Sequence, residues 1–243
     1  MLRSTGRSLV PLLEDRPLGT RCTLLRPGLT PYQDAWQLQQ RIAESVRAGG
    51  TPALVLLEHP PVYTLGVRGK SEHLLLSQEA YLARGATVER TDRGGDVTYH
   101  GPGQLVGYPI LPIRDWGLGP VAYVRGLEAA LIDVLAHFGI AAGRAEGLPG
   151  AWVRGEKIAA IGVRIARGVT THGFALNVNT DLDRFTHIIP CGNAAAGVTS
   201  MRRLTGGTLD MRAVEDEMAA ALARQFALEL VEDRALAGVA DGR

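Results

Sequence analysis

The tightest constraint on this chain is one stretch: Arg93-Gly94-Gly95-Asp96-Val97-Thr98-Tyr99-His100-Gly101-Pro102-Gly103-Gln104. Four glycines and a proline fall within it, and the apolar run Leu105 to Ile110 follows at once. Thr87-Val88-Glu89-Arg90 reads as a short strand delivering this loop, and Leu105 to Ile110 as a strand leaving it. Glycine lets the backbone turn through positive φ and lets a ligand approach the main chain closely. A solvent turn has little need for Arg, Thr, Tyr, His and Gln beside those glycines. The stretch is neither a Walker loop nor a G-x-G-x-x-G fingerprint, so phosphate binding does not follow from it. On residues alone two readings stand, a tight turn feeding a strand and a loop that meets a ligand.

At 243 residues the chain can form one large domain with a real core. A hydrophobic fraction of 46% with 21% charged residues is ordinary globular composition. No apolar run is long enough to cross a bilayer. Residues 1–20 mix Arg, Pro, Ser and Leu and read as a flexible extension without a signal-peptide core, which points to the cytoplasm. Residues 21–232 read as the one folded domain and 233–243 as a tail. A formal net charge of +1 gives no global attraction for nucleic acid. Of 26 basic residues only Lys70 and Lys157 are lysine. Arginine keeps its proton in proteins whereas lysine can lose it, so a lysine retained here is a candidate for proton chemistry. Neither the two cysteines, Cys22 and Cys191, nor the six histidines show metal-ligand spacing, so no metal is expected.

Arg21 to Leu25 is expected as a strand. Thr30-Pro31 is expected to start a helix, with Thr30 as cap and Gln33 completing a capping box; Gly49-Gly50 ends it. Trp36 belongs to its apolar face. Ala53 to Glu58 reads as a buried strand, stopped by the rigid turn His59-Pro60-Pro61, and Val62 to Gly66 resumes extended. Arg68 to Gln78 reads as a loop. Pro120 to Phe138 is the clearest helix, apolar at i, i+3, i+4 apart from Glu128, and Asp210 to Phe226 is a second. Ala151 to Val153 and Lys157 to Ile165 form a hairpin, and Phe174 to Asn179 the next strand. With no repeat and no linker, the pattern predicts one α+β domain built on a mixed, mostly antiparallel sheet flanked by helices.

Two residues stand out chemically. Cys191 lies in Pro190-Cys191-Gly192, where a bend lets the sulfur and nearby N–H groups face one cavity; otherwise it is a small buried hydrophobe. A nearby cation would lower its pKa and make it nucleophilic. Cys22, in a strand-like context, reads as core or edge. Lys157 begins an alternating strand whose face also carries Ala159, Ile161, Val163 and Ile165. It either snorkels to solvent or sits partly desolvated with a labile proton beside the thiol.

The order of these motifs resembles the lipoyl(octanoyl) transferases. Glu58-His59-Pro60-Pro61-Val62-Tyr63-Thr64-Leu65-Gly66 is similar to a family segment, and so is Arg93 to Pro109. Gly155-Glu156-Lys157 through Gly162, His172-Gly173-Phe174-Ala175-Leu176-Asn177, Pro190-Cys191-Gly192 and Gly197-Val198-Thr199-Ser200 continue the match. The resemblance implies the fold shared with lipoate- and biotin-protein ligases and makes residues 21–232 the catalytic acyltransferase domain. It implies transfer of an octanoyl group from acyl carrier protein to a lysine of lipoyl domains, those of 2-oxoacid dehydrogenase complexes and the glycine cleavage H protein. Cys191 would be the thioester nucleophile and Lys157 the residue that lowers its pKa. The acyl site would be walled by Arg93, Gly94, Gly95, Asp96, Val97, Thr98, Tyr99 and His100. Ala160, Ile161, Gly162, Gly173, Phe174 and Ala175 would complete it, small residues leaving room while Ile161 and Phe174 bury the chain. Burying the aliphatic carbons at roughly 0.8 kcal/mol each would give several kcal/mol before ordering costs. A monomer without cofactor is expected, with no membrane partner and an arginine rim (Arg68, Arg164, Arg202, Arg203) for an acidic carrier. The alternatives are an ATP-dependent lipoate or biotin ligase and a non-catalytic acyl-carrier-binding protein.

Overall fold

The computed structural model describes residues 19–189 and 197–233. Of the expected extension 1–20 and tail 233–243, residues 1–18 and 234–243 lie outside the described residues, as does Cys191, whereas Thr20 already opens a strand and the Asp233 N–H donates to Leu24 O at 3.0 Å.

In chain order the elements are β1 (Thr20–Leu29), α1 (Tyr32–Arg47), β2 (Ala53–Glu58), β3 (Val62–Leu65), α2 (Gln78–Leu82), β4 (Thr87–Arg90) and β5 (Val97–His100). They continue as β6 (Gln104–Ile110), α3 (Pro120–His137), β7 (Gly143–Ala145), β8 (Leu148–Val153), β9 (Glu156–Ala166), β10 (Val169–Asn177), α4 (Met201–Thr205), α5 (Met211–Phe226) and β11 (Leu228–Glu232). Among the described residues they build an eight-stranded sheet in the order β11-β1-β2-β6-β10-β9-β8-β7 and a three-stranded sheet in the order β4-β3-β5. β1 pairs parallel with β2 and with β11, and β3 with β4; the remaining pairs are antiparallel. The domain is α+β, as the pattern of hairpins and interspersed helices predicts. No helix among the described residues is long and apolar enough to cross a membrane.

The large sheet carries a different cluster on each face. β2 shows why its sequence is a continuous apolar run: Leu54 and Leu56 pack toward α3 and α5, and Val55 and Leu57 toward α1. A central strand covered on both faces has no polar side to alternate with. Cys22, read as core or edge, is fully buried in the α3/α5 cluster, where desolvation pushes its thiol up to about 12. Glu128, the polar break in α3, is buried but receives Arg125 of its own helix at 2.8 Å and Arg144 of β7 at 2.9 Å, the second tying α3 to β7. A buried carboxylate needs such partners.

The start of α1 differs from expectation. Thr30 does not cap it: the Thr30 N–H donates to Glu58 O at 2.9 Å, and its hydroxyl donates to Gly28 O at 3.3 Å. β1 runs on to Leu29, so Thr30 is held as the end of a strand pair, and Pro31 takes the cap position without a side-chain bond. The stretch read as loop from Arg68 to Gln78 contains one 3-10 turn, Ser71–His73, and leads into α2. The Arg93–Gln104 stretch is not all loop either. Its middle, Val97 to His100, is a strand paired with β3, Tyr99 opposite Tyr63.

Candidate active site

The three-stranded sheet lies against the face of β6, β10 and β9 that also carries α1, and the gap left between them is a mainly apolar cavity. Its floor is strand backbone with small side chains. Ala160 of β9 pairs with Ala175 of β10, and Gly162 with Gly173. Val106 and Tyr108 of β6 extend the floor, and Val97, Thr98 and His100 of β5 form the opposing wall. Small residues create the space because close-packed strands would otherwise fill it with side chains.

Arg93 and its neighbours hold the glycine loop to both sheets. The Arg93 side chain, only 7% exposed, donates to Thr64 O and Asp96 O at 2.6 Å each and to Gly94 O at 3.0 Å. A guanidinium's fixed fork of donors can satisfy several loop carbonyls at once, which lysine's single ammonium cannot reproduce. Gly94 donates its N–H to Val163 O at 3.0 Å, and a Cβ on Gly162 would stand 2.9 Å from Gly94 O. Glycine at these two positions is what lets the loop touch β9. Gly95 sits at φ +96°, a backbone conformation that L side chains rarely adopt.

Most of the residues proposed for the acyl site meet at this cavity: Arg93, Gly95, Asp96, Val97, Thr98, His100, Ala160 to Gly162 and Gly173 to Ala175 all border it, as does Lys157. Gly94 is instead the loop's contact with β9. Tyr99 packs into the aromatic cluster with Tyr63, Tyr81 and Phe185 and does not border the cavity. The side chains of Ile161 and Phe174 pack into the α3/α5 core, Phe174's ring lying where a Cβ on Gly107 would be. Burial of a ligand there would fall to Val106 and the alanines. The cause is alternation: Ile161 pairs with Phe174 on one face, Ala160 with Ala175 on the other.

Lys157 does not share the Ala159 face that simple alternation gives it. Ala151 pairs with Ala159 but Trp152 with Lys157, so β9 carries one extra residue at Ile158. Such a bulge re-aims the side chains before it. Lys157 therefore borders the same cavity as Ala160, with its ammonium 4.8 Å from the centroid of the Trp152 ring. Its main chain is bonded to the segment that follows Cys191: Lys157 N–H donates to Gly197 O at 2.9 Å, and Thr199 N–H to Lys157 O at 3.0 Å. On the other side of the undescribed residues, Ile189 N–H donates to His73 O at 2.9 Å, and the preceding turn brings Phe185 to the cavity.

A relay of side chains fixes that arrangement. His100 Nδ1–H donates to Gln104 Oε1 at 2.7 Å, Gln104 Nε2 to Asn177 Oδ1 at 2.9 Å, and Asn177 Nδ2 to Thr199 O at 3.0 Å. All four residues are buried, so each unpaired group would be costly. Gln104 and Asn177 lie within the matched motifs, yet their role was not legible, because it depends on strands far apart in sequence.

Three imidazoles are buried around the cavity. His59, read as a turn residue, is fully buried: its Nδ1–H donates to Thr30 O, and its Nε2 accepts from Tyr108 Oη, both at 2.7 Å. Desolvation pushes it down to about 4, opposed by the Thr30 bond. His100 is held well below the usual histidine value, first by burial and then by His59 and Arg93. His172 is lowered by burial and raised in part by Asp92, whose Oδ1 accepts from its Nε2–H at 2.7 Å. Imidazoles kept neutral in this way can form the wall of an apolar ligand site.

The lipoyl protein ligase A/B catalytic domain matches residues 31–223. An octanoyltransferase from Solibacter usitatus is 51% identical over 208 residues, which is 85% of this chain and 91% of that protein. One from Gloeobacter violaceus is 46% identical over 213 residues, covering 86% of this chain and 92% of its own length. Among solved structures, lipoate-protein ligase A bound with ATP superimposes with a TM-score of 0.71 over 90% of this chain and 92% of that chain, at 18% identity. A likeness so low in sequence speaks for the fold alone, whereas the curated relatives span nearly the whole domain at about half identity. With the family model matching most of the chain and relatives at about half identity along it, this chain belongs to the lipoyl protein ligase A/B catalytic-domain family.

Proposed function

We propose that this chain is an octanoyltransferase that moves an octanoyl group from octanoyl-acyl carrier protein to a lysine of lipoyl domains by way of a Cys191 thioester. The observation that carries this reading is a mainly apolar cavity with Lys157 at its edge, and Lys157 is backbone-bonded to the segment just after Cys191. The identity with octanoyltransferases over most of the chain supports it as well.

In the first half, the Cys191 thiolate adds to the thioester carbonyl, and the carrier's phosphopantetheine thiolate leaves and takes up a proton. In the second, the acceptor lysine's amine attacks the acyl-enzyme, an amide forms, the amine loses a proton, and the Cys191 thiolate is expelled. Thioester exchange is close to balanced and amide formation runs downhill, so no nucleotide and no cofactor of the enzyme's own is required. The Lys157 ammonium stabilises the thiolate and exchanges the proton. The alanines, glycines and Val106 of the cavity hold the aliphatic chain. The acceptors are the lipoyl domains of 2-oxoacid dehydrogenase complexes and the glycine cleavage H protein, and the enzyme works as a cytoplasmic monomer. Of the arginines expected on the rim, Arg164 is drawn to Asp92 at 2.9 Å and Arg203 stands 4.0 Å from Glu156, which leaves Arg68 and Arg202 as the better carrier contacts.

The competing reading is an ATP-dependent ligase on the same fold. Mixing the protein with octanoyl carrier protein in the absence of nucleotide, followed by intact-mass spectrometry, separates the two. An octanoyl adduct that disappears in Cys191→Ala is expected; full transfer by that variant would sink the thioester route. Lys157→Arg reads the lysine's part: near-complete loss indicates proton exchange, and retained activity indicates charge alone.

A further inference from the structure

The end of the cavity remote from Lys157 has an unusual wall. Lys157 and Gly162 stand at opposite ends of the cavity-lining part of β9, about 13 Å apart at ~3.3 Å per regular strand residue. Beyond Gly162, β9 continues to Val163, which pairs with His172. His172 takes φ +56°, and its ring lies 6.2 Å from the ring of Trp36 on α1 and 6.4 Å from that of Tyr108. A side chain in regular strand geometry there would follow Val163 into the α3/α5 core. The left-handed backbone aims the imidazole at the cavity end instead.

Behind that ring three buried polar atoms have no hydrogen-bond partner among the described residues: Trp36 Nε1, Gln39 Nε2 and His172 Nδ1. Their hydrogen-bonding roles are fixed by what surrounds them. Gln39 accepts the His172 backbone N–H at 2.7 Å, so the atom there is Oε1 and its amide nitrogen faces away as a donor. Asp92 is an acceptor at 2.7 Å from His172 Nε2 and burial favours the neutral ring, so the single ring proton sits on Nε2 and Nδ1 is a bare acceptor. Trp36 offers a donor only. Two donors and one acceptor thus converge on one interface between α1 and β10. Buried polar groups left unpaired are costly, and a site with three such groups is what an internal water binds.

We propose that the α1–β10 interface binds one ordered water, held by Trp36, Gln39 and His172, and that this water fixes the His172 imidazole as the end wall that limits acyl-chain length. The water accepts from Trp36 Nε1–H and from the Gln39 amide and donates to His172 Nδ1. With Asp92 on Nε2 and the water on Nδ1, the ring is pinned at both nitrogens. An acyl chain two carbons longer has to displace a ring so held. The length-setting role rests on the octanoyl-transfer reading, whereas the water site does not.

Two measurements separate these parts. A crystal structure of the full chain near atomic resolution should show a water within hydrogen-bond distance of all three atoms. Direct pairing among them, or a dry site, overturns the water. Trp36→Phe and Gln39→Met, neither of which removes a cavity-lining side chain, should each raise the ratio of decanoyl to octanoyl kcat/KM by about tenfold, the worth of one or two methylenes in an apolar site. An unchanged ratio in a variant with native circular dichroism overturns the length-setting role. Should either variant fail to fold, the other and the crystal structure still decide. If the wild-type protein transfers no acyl chain of any length, the octanoyl reading fails instead, and the crystallographic result stands by itself.

Discussion

The two faces of the eight-stranded sheet are built to different rules. Toward α3 and α5 the sheet buries Leu54, Leu56, Leu105, Leu127, Leu131, Val134 and Leu135 in one continuous apolar cluster. Toward α1 and the three-stranded sheet it buries His59, His100, His172, Gln39, Gln104 and Asn177, and leaves a cavity. The first face stabilises by area removed from water and by close packing. The second sacrifices part of that for space and for polar groups that must each find a partner. The larger apolar cluster lies on one side, while the other combines a smaller one under α1 with polar groups and a gap.

Matched substitutions on the two faces sharpen this contrast most. Leu131→Ala, at a fully buried position of α3, should cost about 2–5 kcal/mol in chemical denaturation while leaving transfer per folded molecule unchanged. Ala160→Leu, which fills the cavity, should do the reverse and cut octanoyl transfer by at least about tenfold with little change in unfolding midpoint. If both variants lose stability equally, the division of labour between the faces is broken.

Acid should come next in size and act on the cavity face. The folded value of His59 is about 4 against an ordinary 6.5, so between those pH values the unfolded chain binds the extra proton. Stability is therefore full above 6.5 and falls as pH drops toward 4, by roughly 3 kcal/mol for this residue. His100 and His172 are shifted the same way and add to the loss. Denaturant titrations across this window should show the decline, and a His59→Gln variant should flatten it. A flat wild-type profile would mean that the imidazoles are not held neutral.

The smallest effect concerns one hydroxyl. Tyr108→Phe removes the donor to His59 Nε2 and leaves that nitrogen buried without a partner, at a cost of about 1–2 kcal/mol by thermal or chemical unfolding. A neutral result would show that the polar network tolerates gaps and that the two faces differ less than their composition suggests.

Elements with a strong period or sharp punctuation were legible. β2 spans Ala53–Glu58, α3 ends at His137 before Gly139, and α5 begins at Met211 after Asp210, each as the apolar spacing and stop signals indicate. Short elements were not: α2 has five residues, and β5 is four residues inside a glycine-rich stretch. Such pieces are too brief for local preference to fix them and exist because a neighbour pairs with them. β11 likewise owes its place to parallel pairing with β1. At the site, the glycines, Lys157 and the His-Gly and Gln-Leu motifs were visible as residues. The relay from His100 through Gln104 and Asn177 to Thr199 was not, because it joins three strands and a loop.

The sequence by itself determined the α+β class, the helices and central strands, and which small and polar residues gather near one site, because periodicity, turn chemistry and motif order are local properties. Only the tertiary structure decided which face each side chain occupies. One extra residue at Ile158 turned Lys157 toward the cavity, one left-handed φ at His172 turned an imidazole the same way, and plain alternation sent Ile161 and Phe174 to the opposite core. The physical reason is that a strand's period of two converts a one-residue shift into a change of face, and such shifts are set by the partners a strand meets, not by its own residues.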